Sequence, residues 1–114
     1  MANYFKILLV FSLFFNPLIS AEYKATPINY KSFLKKLEPG DVLTFGEGIY
    51  KGNLQLDDLH GEEGALIILQ GIEGKTTFTA TDDENTINFI NCSYIHLRNF
   101  KLDGNHLKVD GIKM

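Results

Sequence analysis

Cysteine is nearly absent from this 114-residue chain, in which Cys92 is the only one. A single thiol cannot form an internal disulfide, so no covalent cross-link holds the fold. A domain of about this size buries only about two-thirds of its unfolded surface. We therefore expect a small apolar core to supply the stability.

The chain also lacks an excess of basic residues. It has 11 Lys and Arg against 14 Asp and Glu, with a formal net charge of −3. Nucleic-acid binding favours a basic face that neutralises phosphates. The charge balance therefore argues against a nucleic-acid partner, and composition alone indicates no function.

The sequence also has no apolar run long enough to span a bilayer, which takes a helix of about 20 residues. The apolar run Ile7–Phe15 follows Lys6 and precedes the small residues Ser20 and Ala21. This order is typical of a secretory signal peptide. We expect residues 1–21 to be removed after Ala21, so that the product is exported, periplasmic or extracellular, with no membrane association afterwards.

Residues 28–40 predict one short helix and the turn that ends it, after a linker at 22–27. Apolar residues recur there at spacings of three and four; they are Tyr30, Phe33, Leu34 and Leu37. This period indicates an amphipathic helix over 28–37, which Pro39 and Gly40 stop. Because so short a helix is marginal in water, we expect it to dock on apolar surface.

After Gly40 the sequence changes to short runs rich in Val, Ile, Leu, Phe and Thr, separated by Gly, Asn and Asp. These runs predict β-strands and an all-β fold. The strand-length pieces are 42–45, 53–56, 66–69, 77–81, 87–90, 94–97, 100–103 and 111–114.

The strands line up in three interlaced parallel series, with gaps of roughly 20 to 30 residues that are typical of a solenoid. The series align Val42 with Leu66 and Ile95, Phe78 with Phe100, and Leu54 with Ile87 and Ile112. We therefore predict a parallel β-helix over 41–114, with three strands in each coil and about three coils. The helix would cap its N-terminal end.

The predicted coils give an expectation about the C-terminal end. The last run, Asp110–Met114, begins a strand with no polar cap after it. Solenoids need terminal caps for solubility, and uncovered strand edges are templates for aggregation. We expect the chain to be the N-terminal piece of a longer protein, with self-association through the uncapped last coil.

Three segments resemble the opening of right-handed parallel β-helix polysaccharide lyases, in the alginate lyase and chondroitinase-B-like branch of the pectate-lyase-like proteins. They are LEPGDVLTFGEGIYKG (37–52), NCSYIHLRNFKLDGN (91–105) and VDGIKM (109–114). The shared features are a helix ending in Pro-Gly-Asp, a Gly-x-Tyr-x-Gly element, and coils separated by Asn-Ser-Ser-like and Asp-Gly turns. The likeness covers essentially all of 28–114 and is more specific for fold than for activity.

The resemblance implies calcium-assisted β-elimination of an acidic, uronate-containing polysaccharide. A cation neutralises the uronate carboxylate, a base removes the C5 proton, and an acid protonates the leaving oxygen. In that family the calcium carboxylates and the catalytic pair lie in middle coils, so no catalytic residue is assigned here and we expect this chain to be inactive. Two alternatives stay open: a non-catalytic β-helix module that binds glycan or builds a cell-surface stalk, and a degenerate remnant.

Asn88 and Lys113 are the candidate substrate-binding residues. They occupy outward positions of the third series, next to the inward Ile87 and Ile112. Stacked strand positions lie about 5 Å apart, so the two side chains would be neighbours. A polar face with a lysine suits an anionic glycan; the alternative is an ordinary solvated face.

The acidic clusters predict turns, and no metal site is assigned. Asp58, Asp83 and Lys108 recur at equal intervals in loops but lack the fixed spacing of a calcium loop. Asp103-Gly104 and Asp110-Gly111 are typical of turns.

Asn91-Cys92-Ser93 matches the N-glycosylation pattern. We nevertheless expect Asn91 to be structural, bonding the backbone of an adjacent coil, and Cys92 to be a small buried filler.

Overall fold

The computed structural model describes residues 20–52, 54–81, 86–104 and 112–113. Within these ranges the fold is all-β apart from one short helix, α1 (Tyr30–Leu34). The strands are β1 (Glu22–Ala25), β2 (Val42–Phe45), β3 (Gly48–Lys51), β4 (Leu54–Asp57), β5 (Ile67–Gly71), β6 (Thr76–Thr79), β7 (Ile87–Ile90), β8 (Ile95–Arg98), β9 (Lys101–Asp103) and β10 (Ile112–Lys113).

The described strands form three sheets in which all the pairs are parallel. Sheet 1 has the order β1-β2-β5-β8, sheet 2 has the order β3-β6-β9, and sheet 3 has the order β4-β7-β10. From β2 onward the chain visits sheets 1, 2 and 3 in turn and then repeats the cycle. Parallel neighbours need a long crossover. Helix α1 lies in the crossover from β1 to β2, and in the later crossovers two strands of the other sheets do.

The register of sheet 3 is as predicted. Leu54 pairs with Ile87, and Ile87 pairs on its other side with Ile112. Leu54, Leu56 and Ile87 are fully buried, whereas the alternate position Gln55 is exposed. The period of two in these strands indicates which residues face inward, although it would also allow a register shifted by two residues.

The predicted alignment in sheet 2 is wrong by two residues. Phe78 pairs with Leu102, not with Phe100. Phe100 and Leu102 both carry apolar side chains at the same parity, so a shift of two leaves the pattern unchanged. The turn before β9 decides the register.

The predicted alignment in sheet 1 is also wrong. Val42 pairs with Ile68 rather than with Leu66, and Ile95 pairs with Ile67. The run 66–69 is apolar on both faces, so its period could not indicate the inward residues. The structure buries Ile67 and Leu69 completely and leaves Leu66 39% exposed.

Two strands were not predicted. The linker assigned to 22–27 contains β1, whose Glu22–Ala25 backbone pairs with β2. The piece Gly48–Lys51 forms β3 and pairs with β6. Each is four residues long and turns only one or two apolar side chains inward, so its amphipathic signal is weak. Pairing with a stronger neighbour supplies the backbone hydrogen bonds.

The inward residues of all three sheets form one hydrophobic cluster with an aromatic centre. The Tyr50 and Phe78 rings stack with centroids 4.8 Å apart. Phe45 and Phe100 meet Phe78 edge-on at 5.3 and 5.1 Å. Such pairs add about 0.5–1.5 kcal/mol each beyond the effect of their buried area, so these rings contribute a large part of the stability of a small core.

Helix α1 covers one end of this aromatic cluster. It spans Tyr30–Leu34, so it begins later and ends earlier than the predicted 28–37, and Pro39-Gly40 does not stop it. It begins late because residues ahead of it form a turn in which the Thr26 N–H donates to Asn29 Oδ1 at 2.8 Å. Tyr30 is only 5% exposed, and its ring centroid lies 5.4 Å from that of Tyr50 and 6.0 Å from that of Phe45. Docking therefore stabilises a helix too short to form alone.

Some predicted features lie outside the described residues. They are positions 1–19 of the predicted signal peptide, Asp83, Lys108, Asp110-Gly111 and Met114. In the part of the chain that the structure describes, no helix has the length and apolar character that a membrane crossing requires.

Candidate functional site

A row of polar side chains crosses the outer face of sheet 1. Strand pairing places Lys24, Thr44, Gln70 and Arg98 side by side on β1, β2, β5 and β8. Neighbouring strands lie about 4.8 Å apart, so the row is roughly 14 Å long. We call these four residues the outer ladder.

Hydrogen bonds order most of the outer ladder. Gln70 Nε2 donates to Thr44 Oγ1 at 2.9 Å, and Arg98 Nε donates to Gln70 Oε1 at 2.7 Å. Thr44 and Gln70 are half-buried and Arg98 is exposed. The amide between them must therefore present its oxygen to the guanidinium and its NH₂ to the hydroxyl.

The Arg98 guanidinium keeps binding capacity in this arrangement. Its Nε is engaged by Gln70, and its two Nη groups make no hydrogen bond or ion pair with other described residues. A guanidinium held through Nε is oriented without losing its terminal donors. Arginine binds carboxylates in a planar, charge-assisted geometry, so this end of the outer ladder suits an anionic ligand.

A second row on the same face lies beside the outer ladder. The pairing aligns Glu22, Val42, Ile68 and His96. Val42 and Ile68 are half-buried and His96 is exposed. Apolar surface beside a few fixed polar groups is the usual composition of a small-ligand site.

The predicted pair Asn88 and Lys113 lies on sheet 3. The backbone register pairs Asn88 with Lys113 on one side and with Gln55 on the other. Asn88 is half-buried and takes part in an interaction within the chain. The structure therefore brings the two predicted positions together on adjacent strands, and their role in binding stays a prediction.

The side chain of Asn91, just after β7, forms a hydrogen bond with the corner that follows β4. Its Nδ2 donates to Asp58 Oδ1 at 2.6 Å, and the two residues have φ of 53° and 55°. Asn and Asp are the side chains that tolerate this left-handed conformation best. The expected bond to backbone is thus wrong: Asn91 bonds a side chain, and two matched left-handed residues form the corner.

Cys92 is half-buried rather than buried, and its thiol donates to Leu56 O at 3.2 Å. Ser93 Oγ lies 2.8 Å from His60 Nδ1, again across adjacent turns of chain. Among the described residues there is no group of three or more His, Cys, Asp and Glu arranged to hold a metal ion. These contacts join neighbouring corners.

A cavity of about 560 Å³ lies between α1 and β4. Its polar lining is Lys31 and Lys35 from the helix, and Gln55, Asp57 and Asp58 from β4 and the corner after it. Cations face carboxylates across this space, so the charges of these lining residues balance.

Two tyrosines of the core have raised pKa values. Burial raises the pKa of Tyr30 and of Tyr50 above 10.0, and for Tyr50 the neighbouring Tyr30 raises it further. The Tyr50 hydroxyl donates to Gly46 O at 3.0 Å. Both phenols are therefore neutral, structural groups in the physiological range.

Comparisons of the chain with protein families, with curated proteins and with solved structures found no match. The likeness to polysaccharide lyases therefore stays a prediction from the three segments at 37–52, 91–105 and 109–114.

The outer ladder was not singled out from the sequence. Its members are far apart in the chain, and only the register sets Gln70 between Thr44 and Arg98. Because that register was shifted in the prediction, no sequence signal brought these residues together.

Proposed function

We propose that the described strands are successive coils of a right-handed parallel β-helix, with α1 capping its N-terminal end. The support is that all pairs are parallel and that sheets 1, 2 and 3 are visited in a repeating order. Parallel strands of one sheet are connected right-handedly in nearly all proteins, which favours this hand.

We propose further that the chain is the N-terminal part of an exported β-helix polysaccharide lyase for a uronate-containing glycan. Its own contribution is to bind that glycan without cleaving it. The observation that carries this proposal is the Arg98 guanidinium, held by Gln70 with both Nη groups directed to no described partner. A carboxylate on the sugar ring is the matching anion.

The glycan would lie along the outer face of sheet 1. One uronate carboxylate binds Arg98, and the ring packs on Val42 and Ile68 in the adjacent row. Lys24 at the other end of the outer ladder meets a second acidic sugar. Asn88 and Lys113 are a further predicted contact on sheet 3, and calcium enters only through the family resemblance, with no residue of this chain assigned to it.

Titration calorimetry with an oligouronate tests the proposal, with the carboxyl-reduced form of the same oligosaccharide as the neutral comparison. We expect the native chain to bind the acidic form only, and Arg98→Gln to weaken binding by about tenfold to a hundredfold. A charge-assisted hydrogen bond contributes about 1.5–3 kcal/mol, and 1.4 kcal/mol is a factor of ten. Lys51→Gln on the outer face of sheet 2 is the matched control and should change little.

Equal affinity of native and Arg98→Gln chains would refute the role of the outer ladder. Ultraviolet absorbance from newly formed unsaturated uronate would refute binding without cleavage. Binding with no cleavage is equally compatible with a non-catalytic glycan-binding or surface module. Coding sequence downstream of Met114 with further coils and a carboxylate cluster would favour the lyase.

A further inference from the structure

The residue before β1, Ala21, is hydrogen-bonded to a buried carboxylate, that of Asp41. Asp41 is only 5% exposed. Its Oδ1 accepts the Ala21 N–H at 2.9 Å, and its Oδ2 accepts the Glu38 N–H at 2.9 Å. No Lys, Arg or His side chain of the described residues pairs with it. Both oxygens of this buried carboxylate thus accept neutral backbone donors, and a cationic donor at either oxygen would form a stronger, charge-assisted bond.

The carbonyl of Ala21 accepts a hydrogen bond as well. The Val42 N–H donates to Ala21 O at 3.0 Å, whereas the preceding Ser20 is exposed. Removing Ala21 would take one donor from Asp41 and one acceptor from Val42. Among the described residues, Ala21 is thus the first whose backbone N–H and C=O both take part in hydrogen bonds.

The sequence alone allows two positions for removal of the leader. A signal-peptide cleavage site has small residues before the cut. Ser20 and Ala21 are both small, and the residues two positions ahead of them, Leu18 and Ile19, are both aliphatic. The cut could therefore precede or follow Ala21 on sequence grounds.

We propose that the leader is cut between Ser20 and Ala21, not after Ala21, and that Asp41 is the acceptor built for the new amino terminus. Hydrolysis adds water across that peptide bond: Ser20 leaves with a carboxylate, and the Ala21 nitrogen becomes an ammonium. The nitrogen that lies 2.9 Å from Asp41 Oδ1 then carries a charge. A charge-assisted bond replaces a neutral one, so processing fastens β1 onto the start of β2.

The new ion pair has a distinctive pH signature. An unfolded α-amino group has a pKa of about 7.7–8.0, and the Asp41 carboxylate raises it in the fold. The stabilisation is complete below that range and is lost as the pH rises through the folded value. The charged side chains on adjoining elements are exposed and screened by salt; they are Glu22 and Lys24 on β1, Lys31, Lys35 and Lys36 on or after α1, and Glu38, Glu62 and Glu63 between elements. The phenols of Tyr23 on β1 and Tyr30 on α1 are half-buried and buried, and both are present in every version of the chain compared below.

The first experiment reads the amino terminus directly. The full chain is exported from a host with a signal peptidase, and the product is analysed by N-terminal sequencing and intact mass. We expect the mature chain to begin at Ala21. A chain that begins at Glu22, or one that keeps its leader, would overturn the proposal. Glycan binding plays no part in this readout, so its failure is separate from that of the proposed function.

The second experiment tests the ion pair by urea unfolding at pH 7 and at about pH 10. The chain that begins at Ala21 should lose urea midpoint on this rise, whereas the same chain with Gly-Ser added before Ala21 should lose much less. Asp41→Asn should remove the difference between the two versions. An equal loss in the extended and mature chains would show that the Ala21 amine is not paired with Asp41.

Discussion

Thr76 and Thr86 show how differently one residue type can act inside a small core. Both are fully buried. Thr76 Oγ1 accepts the Ile72 N–H at 2.8 Å and donates to Phe45 O at 2.9 Å, which joins β6 to the end of β2. Thr86 Oγ1 finds no hydrogen-bond partner among the described residues.

These two threonines give a matched pair of substitutions. Valine keeps the shape and the β-branch, so each change removes only the hydroxyl. Thr76→Val leaves a buried N–H and carbonyl unpaired and should lower the free energy of unfolding by about 1–3 kcal/mol. Thr86→Val removes an unpaired hydroxyl and should be neutral or stabilising. Urea denaturation of both variants checks this; a larger loss for Thr86→Val would contradict it.

Among the elements, sheet 2 has a register in the structure that differs from the alignment predicted from the sequence. The structure pairs Thr77 with Lys101 on the outer face, whereas alignment of Phe78 with Phe100 would place Thr77 beside Asn99. The two alternatives differ by two residues, or about 6.6 Å along the strand.

Paired cysteines measure this register in solution, in a Cys92→Ser background. Thr77→Cys with Lys101→Cys should form a disulfide under mild oxidation, because their Cα atoms are about 4.8 Å apart. Thr77→Cys with Asn99→Cys should stay reduced, since its Cα separation exceeds the roughly 7 Å limit. Thiol titration distinguishes the two, and the reverse result would restore the sequence-derived register.

Helix α1 belongs to the same scale. The sequence predicted its existence and its apolar stripe, but its first residue depended on the Thr26–Asn29 turn and on the insertion of Tyr30 between aromatic rings. A five-residue helix has little intrinsic stability, so tertiary contacts set its bounds. The same holds for β1 and β3, which are strands because their neighbours pair with them.

Across the whole molecule, burial falls toward the C-terminal strands. In sheet 2, Tyr50 is 1% exposed and Phe78 is fully buried, yet Leu102 at the same inward position is 36% exposed. In sheet 1, Leu69 is fully buried while its partner Leu97 is half-buried. Apolar surface is therefore accessible at β8 and β9, in the part of the chain that the structure describes.

This surface predicts concentration-dependent self-association. Exposed apolar side chains beside strand edges favour contact between copies. Sedimentation velocity of the native chain should show larger species as concentration rises, and Leu102→Lys should shift the distribution to monomer. Ile49→Lys is the control, because Ile49 is 59% exposed but lies on the outer face of sheet 2. A native chain that is monomeric at all concentrations would contradict the prediction.

The sequence indicated the all-β character, a short helix that docks by an apolar stripe, and the sheet 3 alignment of Leu54, Ile87 and Ile112. The predicted stop of the helix at Pro39-Gly40 is wrong, because the helix already ends at Leu34. Alternation of apolar and polar residues indicates the strands and their inward faces, but it does not choose between registers that differ by two residues. The registers of sheets 1 and 2 came only from the fold. In sheet 2 a shift by two residues preserves the alternation, and in sheet 1 the run 66–69 is apolar on both faces, so that Ile95 was aligned with Leu66 instead of Ile67. Those registers bring Thr44, Gln70 and Arg98 into one row, and they set the nitrogen of Ala21 against Asp41.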